Sequence, residues 1–245
     1  KKRCWTKCSK ETFRYNKIKV NWSDKSFLLS KYKYQENSVI ANFYTMNYGK
    51  RSGIIYGATS KKIKNYLQNG NELFIEYHSK NENTLGYFKI EIIQATTPKY
   101  FTDKKKLNCI VNMLDLIRLL TVDNQENIEI YNLIKNFYLI IEHKDFYKKY
   151  IFWELELLKL IGFDLKIKDY CKKEKVNNKD NYYISKNNIK LIVPDFLINL
   201  KKDEITDKDI YYSLLLISEY MKTNILIPNN IPFPISREVF INEFK

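Results

Sequence analysis

The sequence predicts an α+β chain in which a small N-terminal β-barrel is followed by an α-helical C-terminal domain. Over residues 20–98, short runs of β-branched and aromatic residues alternate with polar ones and are separated by turn residues. After Pro98 the apolar spacing changes to three and four, the period of an amphipathic helix. The length of 245 residues accommodates one large or two ordinary domains, and a hydrophobic content of 44% is enough to fill real cores.

Within the first region, Lys25 to Ser30 is a short apolar run. Ser38 to Tyr44 and Lys50 to Tyr56 alternate partially, with Asn47-Tyr48-Gly49 as the turn between them and Gly57 closing the second. Glu72 to His78 alternates well, placing Leu73, Ile75 and Tyr77 on one face. A polar turn over Asn81 to Thr84 precedes a last strand, Leu85 to Ile93. About five short strands in roughly 75 residues match the size of an OB-fold. Domain bounds of 20–98 and 99–245 follow.

Helical periodicity covers Lys104 to Leu120, Glu126 to Ile141 and Asp145 to Ile161, the last ending at a C-terminal glycine, Gly162. A polar insertion near 172–190 ends in a hairpin around Tyr182 to Ile189, and Pro194 precedes a short helix or loop. Thr206 with Asp209 reads as the cap of a helix carrying Ile210, Leu214, Ile217 and Met221. After Pro232 and Pro234, Ser236 is placed to cap Arg237 to Phe244. The second region is therefore expected to be all-α or nearly so. Its helix 145–161 is apolar on more than one face (Phe146, Tyr150, Trp153, Leu157) and reads as the centre of a bundle.

The formal charge of +14 is unevenly spread. Residues 1–19 hold eight basic residues and one Glu, half of the excess. They read as a basic leader, either a phosphate-binding arm or the product of an upstream start with Val20 as the alternative initiator; the second reading is favoured. Lys, Asn, Ile and Tyr dominate throughout, a bias that raises Lys whatever the protein does. No stretch approaches the roughly 20 apolar residues of a membrane span. Cys4, Cys8, Cys109 and Cys171 form no disulfide framework for this length, so a reducing, cytoplasmic setting is expected.

Catalytic motifs are sparse. Walker A and GxGxxG patterns are absent. His78 and His143 read as strand-end and helix-end surface residues, and no nucleophile elbow surrounds a serine. Asp103, Asp115 and Asp123 fall on different helical faces, against a metal-dependent nuclease. The Cys4/Cys8 half-site lacks a second pair, so neither a metal nor any other cofactor is expected, and the chain reads as no enzyme.

The barrel region instead carries lysines interleaved with aromatics. Lys31 and Lys33 end the first strand, Lys50 and Arg51 follow the Asn47–Gly49 turn, and Lys61, Lys62 and Lys64 form a dense cluster. Tyr32, Tyr34, Tyr44, Tyr48, Tyr56 and Tyr66 lie among them. Lysine attracts phosphate and aromatic rings stack bases, the pair of requirements for sequence-tolerant single-strand binding.

Asn21-Trp22-Ser-Asp-Lys-Ser-Phe-Leu-Leu-Ser30, Glu36-Asn-Ser38, Thr45 with Gly49, Gly57-Ala58, the 61–64 cluster and Leu67 to Leu73 together resemble the opening of RecO proteins. Tyr150 to Phe163 is similar to that family's central helix, and Pro234 with Ser236-Arg237 to the start of its C-terminal helix. The resemblance covers about residues 20–244. It implies an OB-fold followed by helices, binding of single- and double-stranded DNA, strand annealing, and loading of the RecA recombinase onto strands coated by single-stranded DNA-binding protein. Implied partners are RecR and the acidic, apolar C-terminal tail of that coating protein, in the nucleoid. Two departures stand out. Many members carry a four-cysteine zinc module after the central helix, where this chain has only Cys171, so zinc is not expected. Phe152 stands where the family often has Arg, which moves the expected tail contact to Lys148, Lys149, Trp153 and Lys159. The alternative is an adaptor whose OB-fold and helices bind protein only.

Overall fold

A computed structural model describes residues 20–81, 84–176, 179–186, 189–199 and 205–245, without the side chains of 176, 179, 180, 186 and 189. The basic leader, with Cys4 and Cys8, lies outside the described residues. β1 (Val20–Gln35), β2 (Ser38–Thr45), β3 (Gly49–Tyr56), β4 (Glu72–Ser79) and β5 (Tyr87–Gln94) close into a barrel in the order β1-β2-β3-β5-β4. A helix, α1 (Lys61–Tyr66), joins β3 to β4. This is the OB-fold arrangement.

β1 is far longer than its apolar run. Val20 to Phe27 pairs with β4 and Ser26 to Gln35 with β2, with register shifts between Leu28 and Ser30 and between Lys33 and Gln35. The bulges let one strand bend through both walls of the barrel. At its start β1 alternates covered and exposed residues, and at its far end Tyr32 to Gln35 are all exposed. Leu28, Ala41, Phe43, Ile55, Leu73, Ile75, Phe88 and Ile90 fill the interior, with Leu67 from beyond α1.

α2 (Lys104–Leu120), α3 (Ile128–Ile140), α4 (Phe146–Leu160), the single turn α5 (Ile167–Tyr170), α6 (Asp207–Met221) and α7 (Ile235–Asn242) form the helical body. α4 is at its centre: Tyr150, Ile151, Trp153, Leu157 and Leu158 are buried. Gly162 adopts φ +86, donating to Lys159 O while Phe163 N–H reaches Leu158 O, a Schellman ending. Thr206 and Asp209 form a full capping box on α6. The expected cap at Ser236 is corrected: α7 starts two residues earlier, at Ile235 after Pro234, and Ser236 Oγ donates to Asp115 at 2.6 Å on α2.

The second region is not all-helical. β6 (Lys172–Val176), β7 (Lys179–Lys186) and β8 (Ile189–Val193) make a three-stranded antiparallel meander where a polar insertion with one hairpin was expected. Tyr182, Ile184, Leu191 and Val193 pack one face onto the helices, which anchors it.

The barrel is fastened to the helices by its outer residues. Phe27, Leu29 and Tyr44 join the helical core, and Phe27 stacks on Tyr138 at 5.8 Å. Tyr44 and Tyr138 hydroxyls donate to Asn127 O and Gly70 O, and Tyr131 donates to Glu72 at 2.8 Å. Gly49 has φ +66, and a Cβ there would overlap the Gln125 carbonyl. Only glycine allows that turn and that approach.

Candidate nucleic-acid interface

The lysine cluster folds as α1, which laid its apolar side on the barrel because Ile63, Tyr66 and Leu67 recur at helical spacing. Ser60 caps it by accepting from Ile63 N–H. Asn37 holds the approach, taking Gly57 and Ala58 N–H on its carbonyl and Thr59 N–H on its side chain. The buried Asn71 closes the other end, donating to Tyr66 O and accepting from Thr96 N–H. With the inner side fixed, Lys61, Lys62 and Lys64 are all exposed, and none makes an ion pair among the described residues. Lys62 Nζ lies 5.9 Å from the Tyr66 ring centre.

Lys31 donates to Leu67 O at the end of α1, and burial followed by the Lys64 charge lowers its pKa. It is thus half-buried beneath the cluster, whereas Lys33 is exposed further along β1.

The remaining barrel residues divide. Lys50 is corrected from phosphate ligand to strut. Its ammonium donates to Arg118 O at 2.7 Å and Thr121 O at 2.5 Å and pairs with Asp123 at 3.2 Å, using all three donors on the helical body. Arg51 donates to Tyr48 O and lies 5.9 Å from the Trp22 ring centre, where Trp22 stacks on Tyr48 at 4.2 Å and Tyr77 at 4.9 Å. It belongs to this aromatic stack, apart from the α1 lysines.

Sequence reasoning missed an aromatic cleft next to α1. Tyr56, 58% exposed at the end of β3, faces Tyr87 at 6.0 Å, and His78 stacks on Tyr87 at 5.1 Å. Lys80, Leu85 and Gly86 from the β4–β5 loop complete an open cleft of about 520 Å³. Strand 3 and this loop are the parts with which OB-folds take oligonucleotides. Only the residues Gly57 to Ser60 separate Tyr56 from α1. A signal did exist: three rings fall at the ends of neighbouring strands, but their pairing is long-range.

The expected partner site does not assemble. Trp153 is corrected to a core residue, 2% exposed, with Nε1–H donating to Leu133 O at 2.7 Å. Lys148 and Lys149 are half-buried on the first turns of α4. Lys159, paired with Glu156 at 3.4 Å, lies about 16 Å away by helical rise. Phe152, in place of the expected Arg, packs edge-on to Phe196.

The three candidate carboxylates are employed separately. Asp103 caps α2, Asp115 pairs with Arg118 at 3.0 Å, and Asp123 meets Lys50. A different polar cluster, unforeseen, sits inside the helical body. Arg237, fully buried, pairs with Glu154 and donates to Ser218 Oγ and Leu214 O. Asn112 donates to Tyr150 at 2.6 Å and to Glu154.

Residues 19–96 match the family model described as Recombination protein O N terminal. The chain is 30% identical over 166 residues to DNA repair protein RecO of Rickettsia canadensis (strain McKiel), covering 68% of each chain. It is 31% identical to that of Ehrlichia chaffeensis over 60% of each chain. It is 27% identical to that of Wolbachia sp. subsp. Drosophila simulans, over 60% of this chain and 61% of the relative. The aligned part therefore spans less than two thirds of the latter two.

Proposed function

Since this chain belongs to the RecO family of DNA repair proteins, we propose that it is a recombination mediator that binds single- and double-stranded DNA and anneals complementary strands. In this reading it helps to load RecA onto strands coated with single-stranded DNA-binding protein, with RecR and the acidic tail of the coating protein as partners. It makes and breaks no covalent bonds. The observation that carries the reading is the exposed α1 triad of Lys61, Lys62 and Lys64 beside the Tyr56–Tyr87–His78 cleft.

The physics is direct. Unpaired ammonium groups displace counterions from phosphate, while open rings accept any base on their faces. Annealing requires that two strands lose their mutual repulsion with their bases exposed. Residues that neutralise and stack supply both without chemistry.

The test is fluorescence anisotropy and annealing with Lys61→Glu/Lys62→Glu/Lys64→Glu. Affinity for a single strand at moderate salt should fall at least ~10-fold and annealing should slow in parallel, given about one released counterion per lost contact. Unchanged affinity and annealing in the folded variant would remove α1 from the interface. Absence of any DNA affinity in the parent at low salt would favour the protein-binding adaptor.

A further inference from the structure

We propose that the β6-β7-β8 meander is a second, separate binding surface for single-stranded nucleic acid, placed so that one chain holds two strands. This inference rests on the mediator reading above. It starts from where the charge of the second region lies. Residues 166–193 contain eight lysines and three acidic residues, whereas the rest of 99–245 contains 16 basic and 18 acidic ones. The helical body is thus slightly acidic, and all of its positive excess sits on α5 and the meander.

The placement matches. Lys166, Lys168 and Lys172 are exposed and make no ion pair among the described residues. Tyr170 between them is 65% exposed. The register puts Lys172, Tyr183 and Ile192 in one row across the sheet. It is the outward face, since Tyr182 and Val193 of the neighbouring row pack inward. Lys190, which pairs with Glu174, holds its ammonium 4.1 Å from the Tyr183 ring centre. Ile192 beside it is 46% exposed. One open ring, Tyr170, bordered by Lys166, Lys168 and Lys172, with the half-buried Tyr183 in the row of Lys172, fits a flexible polyanion with stackable faces.

Lysine on an edge strand also deters unwanted strand pairing. That role covers Lys172 on β6 but not Lys166, Lys168 or the exposed Tyr170, which lie outside the sheet. An acidic protein would use the same charge but gives no reason for the exposed Tyr170 ring among these lysines, so the observations favour nucleic acid. β8 packs on α6, whereas the barrel packs on α2, so the two basic surfaces are carried by different helices.

The experiment uses the full chain and two short, non-complementary strands, one donor- and one acceptor-labelled, together with an annealing assay. In Lys166→Glu/Lys168→Glu/Lys172→Glu, affinity for the first strand should change less than ~3-fold. Energy transfer between the two strands and the annealing rate should each fall at least ~10-fold, as expected from losing three phosphate contacts. The Gln triple variant, which adds no new charge, should show a smaller loss of the same kind. Parent-level annealing and strand bridging in either folded variant would overturn the inference and leave the mediator reading standing. Loss of polyglutamate binding with intact bridging would overturn it too, assigning the surface to an acidic protein. A parent protein without DNA affinity would overturn both.

Discussion

The barrel and the helical body use their cations in opposite ways. On α1 three lysines stand in solvent with no carboxylate partner among the described residues, while in the helical body Arg237 is locked to Glu154 with no exposure at all. Lys50 lies between these extremes, a barrel residue whose ammonium is spent on holding the helices. The contrast teaches that net charge is a poor guide to a binding surface. What matters is whether the neighbouring structure leaves the donor atoms unused.

The largest expected effect comes from breaking the buried pair. Arg237→Ala leaves Glu154 charged and without its partner inside the core, and should cost about 3–5 kcal/mol in denaturant unfolding. Arg237→Met with Glu154→Leu should recover most of that loss, since a well-packed apolar pair can replace a buried ion pair. If Arg237→Ala alone proved neutral, the cluster would not be the structural centre described here.

The α1 lysines should behave inversely. Lys61→Gln/Lys62→Gln/Lys64→Gln should leave the melting temperature nearly unchanged but reduce the slope of log affinity against log salt by about 2 for a single strand. A constant slope would break the contrast. Lys50→Met is intermediate: it should destabilise by roughly 1–3 kcal/mol, because the carbonyls of Arg118 and Thr121 lose their donor. Its DNA affinity per folded molecule should match the parent's, which a binding titration checks.

The smallest effect concerns pH at the seam between barrel and helices. Burial pushes the Tyr138 phenol from 10.0 up to about 12. Between those values the unfolded chain has released this proton and the folded chain retains it, so stability falls as pH rises through that window. Tyr138→Phe should flatten the decline in alkaline unfolding curves. An unchanged curve would mean that Tyr138 is not held neutral at the seam.

Local signals were legible wherever neighbours in sequence decide the outcome. The spacing of Leu107, Ile110, Val111, Leu114 and Ile117 marked α2 over its observed span, Lys104–Leu120. Gly162 and the Thr206–Asp209 box marked their helix ends. Other features depended on distant partners. β1 extends beyond its apolar run because β4 and β2 pair with its polar halves. Ser236 left its cap for Asp115, more than a hundred residues away. Trp153, which the sequence offered both to the bundle centre and to a tail contact, is settled in the core, its indole N–H donating to Leu133 O.

By itself, then, the sequence determined the five barrel strands, the long helices, most of their ends, the order of barrel and helices, and the family likeness, because these rest on local periodicity and short-range hydrogen bonding, whereas α1 and the third strand of the meander were not legible in it. Only the tertiary structure decided which cations remain available. Lys50 and Lys61 are indistinguishable in a sequence, since both are lysines near turns in a β-region. The first meets two helix-terminal carbonyls and the second meets water, and that difference depends on long-range packing alone.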